Sequence, residues 1–334
     1  MRAGNLNSPP FVSLIVPVRN EATHIGTCLE ALLDQTYPAD RVEILVVDGM
    51  SDDATVSVVR DAMARDSRVR LLMNPELLMA AGLNQGISMA RGDVIGVISG
   101  HSIVEPDYLT RSVANLLRTE AWSTGGAIVR IGATPVQRAI AAASSSSIGV
   151  GDARHNYATQ AGWVESVFPG LWPRRVFDEV GPFDVTMPYN EDNELSLRIR
   201  NAGGGIWYDP DVRVRYVPRE SLPGLFTQYR RYARGRIRVY RKHGAGIGWR
   251  HLLPPALVLW IALGWIGGLV SETWLLPWVS SIVVYAVALV LGSIPVASGA
   301  NVLLVAVAAG TMHLGYGVGM LQGALDLLGG RIPR

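Results

Sequence analysis

Three short polar stretches of the sequence carry side chains that could do chemistry: residues 48–55 (DGMSDDAT), 99–101 (SGH) and 191–194 (EDNE). Carboxylates and imidazole rings accept hydrogen bonds from ligands, hold metal ions and move protons. Each stretch also has an ordinary structural interpretation, as an acidic turn that caps a helix, a plain loop, or an acidic helix start that complements the helix dipole. Taken one at a time, none of the three is specific.

The elements that must position these side chains follow from hydrophobic patterning. Short apolar runs at 11–17, 42–47, 69–73 and 94–99 predict strands, and helical patterns follow the first strand and, over 77–89, the third. This alternation predicts an α/β fold with a doubly wound, mainly parallel sheet. Ligands of such sheets bind beyond the carboxyl ends of the strands, which is where Asp48 and His101 fall.

The two halves of the chain differ sharply in charge. Residues 1–250 carry 28 of the 30 basic residues, whereas 251–330 contain no Lys or Arg and only two acids, Glu272 and Asp326. Three apolar segments there, 252–270, 274–291 and 296–325, are each long enough to cross a bilayer as a helix. Their prolines, Pro277 among them, are expected at or near the segment ends. A buried helical bundle in a water-soluble protein is the alternative.

A strongly basic segment precedes these helices. Eight cations lie within residues 230–250, and such a cluster marks the cytoplasmic side of a membrane. No apolar stretch of signal-peptide length begins the sequence. We therefore expect a cytoplasmic catalytic domain over 1–229, a basic juxtamembrane segment over 230–250 and an inner-membrane region over 251–330. Three crossings would place the arginines at 331 and 334 outside, so either one segment is re-entrant or a fourth pass exists.

Composition excludes several other classes of protein. The net charge of +2 gives no reason to expect nucleic-acid binding. The single cysteine, Cys28, forms no internal disulfide, and no Cys/His cluster has the spacing of a zinc site.

The order of the motifs along the chain resembles that of the family-2 glycosyltransferases, nucleotide-sugar enzymes of the A-type fold. The stretches that carry the resemblance are VSLIVPVRNE at 12–21, VVDGMSDDAT at 46–55, residues 84–92, PDYL at 106–109 and YNEDNEL at 189–195. The chain looks most like the membrane-bound glucosyltransferases of bacterial succinoglycan assembly, with support from residues 100–101, 149–151, 190–192 and 208–211 and from the helices after 250.

The resemblance implies roles for individual residues. Pro17, Glu21 and Asp48 would line the nucleotide pocket, while Asp53 with Thr55 caps the next helix. Asp192 would be the general base that deprotonates the acceptor hydroxyl, with Glu191 beside it. The implied reaction is direct displacement at the anomeric carbon, with inversion.

The metal position departs from the family. The family's Asp-x-Asp falls on Ser99-Gly100-His101, so both carboxylates are missing. The resemblance leaves three roles open for His101. It could be a ligand for Mn²⁺ or Mg²⁺, a histidine that faces phosphate without a metal, or a purely structural histidine. Arginines near 230 could supply part of the positive charge that a diphosphate leaving group needs.

Residues 228–232 (QYRRY) resemble the Gln-x-x-Arg-Trp element of polysaccharide synthases, with Tyr in place of Trp. In one interpretation Gln228, Arg231 and Tyr232 belong to a lid over the acceptor site, in which Arg231 contacts phosphate and Tyr232 stacks on a sugar. In the other they belong to a basic helix that only binds anionic lipid.

The resemblance predicts transfer of a hexose from a UDP- or GDP-sugar to a polyprenyl-linked saccharide at the membrane. The alternatives are transfer onto polyprenyl monophosphate and, in another class, a non-catalytic donor-binding scaffold. Donor specificity is expected from loops around 150–175, where Asp152, His155 and Trp172 have no assigned role.

Overall fold

The computed structural model describes residues 8–151, 153 and 156–331. Their contacts divide the described chain into two compact units. The sheet unit contains residues up to 129 and 158–216, and the helical unit contains 130–157 and 217 onward. Residues 130–157 and 217–229 therefore pack with the C-terminal helices, although the sequence-based division assigns them to the catalytic domain. That division into catalytic, juxtamembrane and membrane segments stays a prediction about function.

The sheet unit is built on a mixed sheet of nine strands among the described residues. The strands are β1 (Val12–Val18), β2 (Val42–Asp48), β3 (Val69–Met73), β4 (Val94–Val97), β5 (Ser102–Val104), β6 (Ser123–Arg130), β7 (Gly162–Trp163), β8 (Gly170–Pro173) and β9 (Ile206–Tyr216). Their order is β3-β2-β1-β4-β8-β6-β9-β5, with β7 paired to β9. The first four are parallel, and β8 joins β4 antiparallel. The predicted α/β fold is confirmed, and its second half is antiparallel.

Twelve α-helices occur in the described residues. They are α1 (Ile25–Leu33), α2 (Thr55–Arg65), α3 (Met79–Met89), α4 (Tyr108–Thr119), α5 (Pro135–Ser144), α6 (Ser147–Val150), α7 (Arg175–Val180), α8 (Glu191–Asn201), α9 (Leu222–His243), α10 (Leu253–Val270), α11 (Glu272–Ser293) and α12 (Val302–Leu328).

Helices cover both faces of the sheet because its parallel strands are apolar on both faces. On β1, Leu14 and Val16 belong to a core shared with α1, α2 and α4, whereas Ile15 belongs to a core shared with α3, α7 and α8. Successive side chains of a strand point to opposite faces, so one apolar run serves two cores. The first strand lies one residue later than predicted, and the fourth ends at Val97 rather than at 99.

A buried carboxylate joins the amino ends of the parallel strands. Glu43 on β2 is 1% exposed, and it accepts hydrogen bonds from Ser13 Oγ at 2.6 Å and from the backbone N–H of Arg91 at 2.7 Å. Arg70 and Arg91 form ion pairs with its Oε2 at 3.2 and 3.0 Å. Burial alone would raise the pKa of Glu43, but these hydrogen bonds and the Arg91 charge outweigh burial and lower it.

The helical unit contains α5, α6 and α9–α12, and three of its helices are long and apolar enough to cross a membrane. The predicted segments 252–270 and 274–291 correspond to α10 and α11. The segment predicted over 296–325 instead begins at Val302, because Asn301 Oδ1 caps α12 by accepting from the N–H groups of Leu303 and Leu304. Pro277, expected at a segment end, lies inside α11.

We predict that Glu43→Ala lowers the free energy of unfolding by about 1–3 kcal/mol near neutral pH, because it leaves Ser13 and the Arg91 N–H without their buried acceptor. A lowered carboxyl pKa stabilises the fold above the unfolded pKa of about 4.3, and this contribution is lost as pH falls through the folded value. The difference in unfolding free energy between wild type and Glu43→Ala, measured by denaturant unfolding of the detergent-solubilised proteins, should therefore be smaller at about pH 3.5 than near neutral pH. The exposed Glu30→Ala is the control, and an equal loss at both pH values would contradict the assignment.

Candidate active site

The loops that follow β1 and β2 are joined at the carboxyl edge of the sheet. The backbone N–H of Asn20 donates to Ser51 Oγ at 2.9 Å, and Asn20 Oδ1 accepts from the N–H of Asp52 at 3.1 Å. The N–H of Glu21 donates to Thr55 Oγ1 at 2.8 Å. Asn20 has a φ of 56°, a left-handed conformation that asparagine tolerates better than most residues. These bonds hold the two loops as one surface.

Asp48 ends β2 beneath this surface and is fully buried. Its Oδ2 accepts from the N–H of Ser51 at 2.8 Å, and its Oδ1 accepts from Ser51 Oγ. The carboxylate thus anchors its own turn, which is the ordinary structural interpretation of this motif. Asp53 also makes a hydrogen bond within its own turn, because its Oδ1 accepts from the N–H of Thr55 at 2.9 Å. The N-cap residue of α2 is Ala54 rather than Asp53.

Glu21 and His101 meet at the same edge. His101 Nδ1 lies 3.0 Å from Glu21 Oε1, and His24 Nδ1 lies 3.4 Å from Glu21 Oε2. Burial pushes the pKa of Glu21 upward, but the hydrogen bond and charge of His101, followed by those of His24, outweigh burial and lower it. The His101 ring also packs at 5.4 Å between centroids against Tyr216.

Gly100 is the residue that allows this arrangement. A Cβ atom on Gly100 would lie 2.6 Å from Val18 Cγ1, so the turn after β4 contacts β1 through glycine. The donor set beside it is sparse, since the described residues contain no group of three or more His, Cys, Asp or Glu side chains that could hold a metal ion. A divalent ion that binds mainly to substrate phosphates needs only one or two protein ligands. His101 could supply one of them, but imidazole suits Mg²⁺ and Mn²⁺ less well than a carboxylate does.

Two adjacent carboxylates begin α8. Asn190, with a φ of 65°, precedes the half-buried Glu191 and Asp192, and Asn193 Nδ2 donates to Asp192 Oδ1 at 3.2 Å. Burial, together with the neighbouring charge of Asp192, raises the pKa of Glu191 to about 7. A carboxyl group that titrates near neutral pH next to another carboxylate is suited to proton transfer.

The loop that leads into α8 is held by two groups to which the sequence analysis assigned no such role. The Asn84 side chain on α3 donates to the carbonyl of Phe183 at 2.8 Å and accepts from its N–H at 2.9 Å. Fully buried Glu194 binds Arg198, whose guanidinium also donates to the carbonyls of Gly181 and Pro182. The i, i+4 spacing of Glu194 and Arg198 in the sequence predicts an ion pair on a helix, whereas no local sequence pattern predicts the contact between Asn84 and Phe183.

The predicted site residues are divided between the two units. Pro17, Glu21, Asp48 and His101 share the carboxyl edge of the sheet, and Glu191 and Asp192 begin α8 in the same unit.

The residues predicted to form an acceptor lid lie on α9 in the helical unit. Gln228 Nε2 donates to Tyr232 Oη at 2.9 Å, and both Arg231 and Tyr232 are exposed. Trp172 is 2% exposed and packs edge-on against Phe177 and Phe183, so it belongs to the core rather than to a specificity loop. Asp152 and His155 lie outside the described residues.

Solved structures share this fold. The mannosyltransferase PcManGT from Pyrobaculum calidifontis, in complex with GDP-Man and Mn²⁺, matches with a TM-score of 0.59 and 21% identity, covering 96% of this chain and 88% of that one. S. aureus TarS 1–349 in complex with UDP matches with a TM-score of 0.50 and 15% identity, covering 67% and 65%. At these identities the likeness shows the fold alone.

Sequence comparisons identify the family. The chain is 33% identical over 318 residues to the succinoglycan biosynthesis protein ExoA of Rhizobium meliloti (strain 1021), covering 94% of both chains. It is 26% identical to the dolichyl N-acetyl-α-D-glucosaminyl phosphate 3-β-D-2,3-diacetamido-2,3-dideoxy-β-D-glucuronosyltransferase of Methanococcus voltae, covering 72% of this chain and 77% of the relative. The model of glycosyl transferase family 2 matches residues 13–175. The chain therefore belongs to glycosyl transferase family 2 and is a glycosyltransferase.

Proposed function

We propose that this enzyme transfers a hexose, with inversion, from a nucleotide-diphosphate sugar to a polyprenyl-linked saccharide during exopolysaccharide or glycan synthesis. The observation that carries the proposal is the Glu191–Asp192 pair at the start of α8, in a chain that also has long apolar helices. Two relatives support the acceptor class, since one is named for succinoglycan biosynthesis and the other for a dolichyl-linked sugar.

The donor would bind at the carboxyl edge of the sheet. Pro17 is the next-to-last residue of β1 at this edge, and Glu21 can accept hydrogen bonds from base or ribose groups. Buried Asp48 would contribute by fixing the turn at Ser51. Structures of the same fold hold GDP-Man and UDP, which favours a GDP- or UDP-linked donor here.

His101, hydrogen-bonded to Glu21, would be the protein ligand of a divalent cation. Mn²⁺ accompanies the donor in the Pyrobaculum calidifontis structure. When bound, such an ion neutralises the charge that develops on the diphosphate as it leaves. The role of this chain is to present the imidazole at the strand edge, with Glu21 and the Tyr216 ring restricting its orientation.

In the proposed reaction, the acceptor hydroxyl oxygen attacks the anomeric carbon as the bond from that carbon to the diphosphate oxygen breaks. The hydroxyl proton passes to the Asp192 carboxylate, and the nucleoside diphosphate leaves with the bonding electrons. Attack on the face opposite the leaving group inverts the anomeric centre. Glu191, with its raised pKa, lowers the negative charge beside Asp192 whenever it is protonated.

The helical unit suits an acceptor that lies in a membrane. We place the enzyme in the inner membrane with the sheet unit in the cytoplasm, because the basic residues of α9 precede the apolar helices directly. The exposed side chains of Arg231 and Tyr232 would contact the acceptor phosphate and sugar, and Gln228 orients Tyr232 through its hydrogen bond. Binding of α9 to anionic lipid alone is the competing role.

Two other functions compete with this proposal. One is transfer of the sugar onto polyprenyl monophosphate. The other is a non-catalytic donor-binding scaffold, which is suggested by the absence of the family's carboxylates at Ser99-Gly100-His101. Radiolabelled UDP- and GDP-hexoses, offered with polyprenyl phosphate or with a polyprenyl-linked saccharide, separate the three. Elongation of the saccharide supports the proposal. A lipid-phosphate sugar indicates the first alternative, and donor binding without any product indicates the second.

Asp192→Asn should reduce kcat by about 10²–10⁴, because it removes the proposed base, while donor affinity changes by no more than a few-fold. Initial rates with labelled donor and calorimetric titration of donor measure the two quantities. The exposed Asp178→Asn on α7 is the matched control and should leave both unchanged. Normal turnover by Asp192→Asn would remove Asp192 from the mechanism.

Glu191→Gln should stabilise the protein above about pH 7 and change stability little below about pH 5. A carboxyl whose folded pKa is raised contributes stability below its unfolded pKa of about 4.3, and this contribution is lost as pH rises through the folded value. Melting temperatures of the detergent-solubilised variant and wild type across this range test the sign. A gain that is independent of pH would show that Glu191 does not titrate near neutrality.

His101→Ala should raise the concentration of Mn²⁺ or Mg²⁺ needed for half-maximal rate, and the wild type should lose activity in EDTA. His101→Asp, which offers oxygen ligands to a hard cation, should retain Mg²⁺-supported activity. If arginines replace the ion, EDTA has no effect and Arg231→Ala causes the larger loss. An EDTA-resistant wild type would exclude the metal role of His101 without affecting the proposed role of Asp192.

A further inference from the structure

The first two apolar helices of the helical unit form an antiparallel hairpin that turns at Ser271. Trp278 Nε1 on α11 donates to the carbonyl of Trp260 on α10 at 3.2 Å, and Trp260 Nε1 donates to Ser281 Oγ at 2.9 Å. Near the turn, Val270 and Leu276 are 83% and 76% exposed. At about 1.5 Å per residue, the 18 and 22 residues of these helices match a bilayer core of about 30 Å. We call α10 and α11 the hairpin.

The third apolar helix, α12, contacts the end of the hairpin that is far from this turn. His313 Nδ1 on α12 lies 2.8 Å from Tyr285 Oη, in the half of α11 that is farther from the turn. A Cβ atom on Gly317 would lie 2.3 Å from the carbonyl oxygen of Pro254, at the start of α10. The residues of α10 and α11 that α12 contacts therefore lie in the half of the hairpin away from its turn, toward its open base. A helix that crossed the bilayer beside the hairpin would also run along it toward Ser271.

One face of the first half of α12 is covered by α5 and α6. Ala139, Ile140 and Ala143 of α5 share a buried cluster with Ala308 and Met312 of α12. His313 Nε2 lies 2.9 Å from the carbonyl oxygen of Ile148, which follows the start of α6. A carbonyl only accepts, so Nε2 carries the hydrogen and Nδ1 accepts from Tyr285. Protein therefore covers one face of this part of α12, while Leu303 and Val307 on the rest of its surface are 62% and 50% exposed.

The second half of α12 is covered by the most basic helix of the chain. Gly315, Gly319 and Gly323 recur every four residues on one face, and a Cβ on Gly315 or Gly319 would come within 2.7 or 2.3 Å of a backbone oxygen of α9. This close approach requires glycine, as in other small-residue helix interfaces. α9 carries seven Lys and Arg residues, and its Arg234 forms an ion pair with Asp326 on α12.

A helix with that many cations is costly to place in hydrocarbon. The part of α12 that packs against α9 backbone therefore lies at the aqueous side of the membrane, as do the ends of α10 and α11 that α12 touches. We infer that the hairpin supplies the only two crossings among the described residues, and that α12 lies across its base at the membrane surface. The basic C-terminus is then on the same side as α9, in agreement with the positive-inside rule.

Reporter fusions to the full chain, made after Arg334, test this topology in a Gram-negative host. Green fluorescent protein should fluoresce and alkaline phosphatase should be inactive, because both report a cytoplasmic C-terminus. Two variants, each with one cysteine in addition to Cys28, report on which side of the membrane the turn at Ser271 and the end of α9 lie. In intact cells, a membrane-impermeant maleimide should label Ser271→Cys and should label Ala245→Cys, just after α9, only after the membranes are opened. The wild type, whose Cys28 is buried, gives the background.

An active phosphatase fusion together with protected Ala245→Cys would overturn the inference, since α12 would then cross. A cytoplasmic C-terminus with Ser271→Cys unlabelled in intact cells would also overturn it, since the hairpin would not cross. If Ala245→Cys is labelled from outside and the phosphatase is active, two crossings stand and the cytoplasmic location in the proposed function fails instead.

Discussion

Parallel pairing of β1 with both β2 and β4 is the constraint on which the candidate site depends. Because all three strands run the same way, the loops after Val18, Asp48 and Val97 leave the sheet at one edge. The hydrogen bonds from Asn20 and Glu21 to Ser51 and Thr55 then join two of these loops into one surface. The third loop approaches β1 closely enough to require Gly100, which brings His101 to Glu21. A Cβ at residue 100 would lie 2.6 Å from Val18 Cγ1, so this loop or the Val18 side chain would have to shift.

Two carboxylates of the sheet unit, Glu43 and Glu191, have environments that shift their pKa values in opposite directions. At the amino ends of the parallel strands, Glu43 accepts hydrogen bonds from several donors, so its charge stabilises the fold and its pKa is lowered. At the start of α8, Glu191 is half-buried beside another negative charge, so its pKa is raised. An arrangement that opposes ionisation costs stability at neutral pH. Such an arrangement is typical of groups retained for proton transfer rather than for folding.

In the helical unit, α12 serves as the surface on which the other helices pack. Its small residues admit the backbones of α9 and α10, and its first half is covered by α5 and α6. High mean hydropathy alone therefore does not distinguish a helix buried among protein helices from one surrounded by lipid. Exposure does distinguish them, because 11% of the span of α10 or α11 is buried in the unit, against 44% of that of α12.

The sequence by itself determined the features that depend on neighbouring residues. Apolar runs predicted β1–β4 to within two residues at each end, helical periodicity predicted α3, and the apolar stretch without Lys or Arg predicted α10 and α11. The order of the motifs also predicted the glycosyltransferase family and the A-type fold. Local patterns carry this information because strands, helices and membrane segments are selected by burial along a few consecutive residues.

Only the tertiary structure decided how distant side chains pair. Glu21 meets His101 across 80 residues, Asn84 holds Phe183 across 99, and His313 reaches Ile148 across 165. The tertiary structure also showed that the Asp48 carboxylate accepts a hydrogen bond from Ser51 and that Trp172 is buried in the core. It also assigned α5 and α6 to the unit of the C-terminal helices. No local pattern encodes these outcomes, because a hydrogen-bonding group accepts any partner of suitable geometry. The packing of the whole chain selects which partner is within reach.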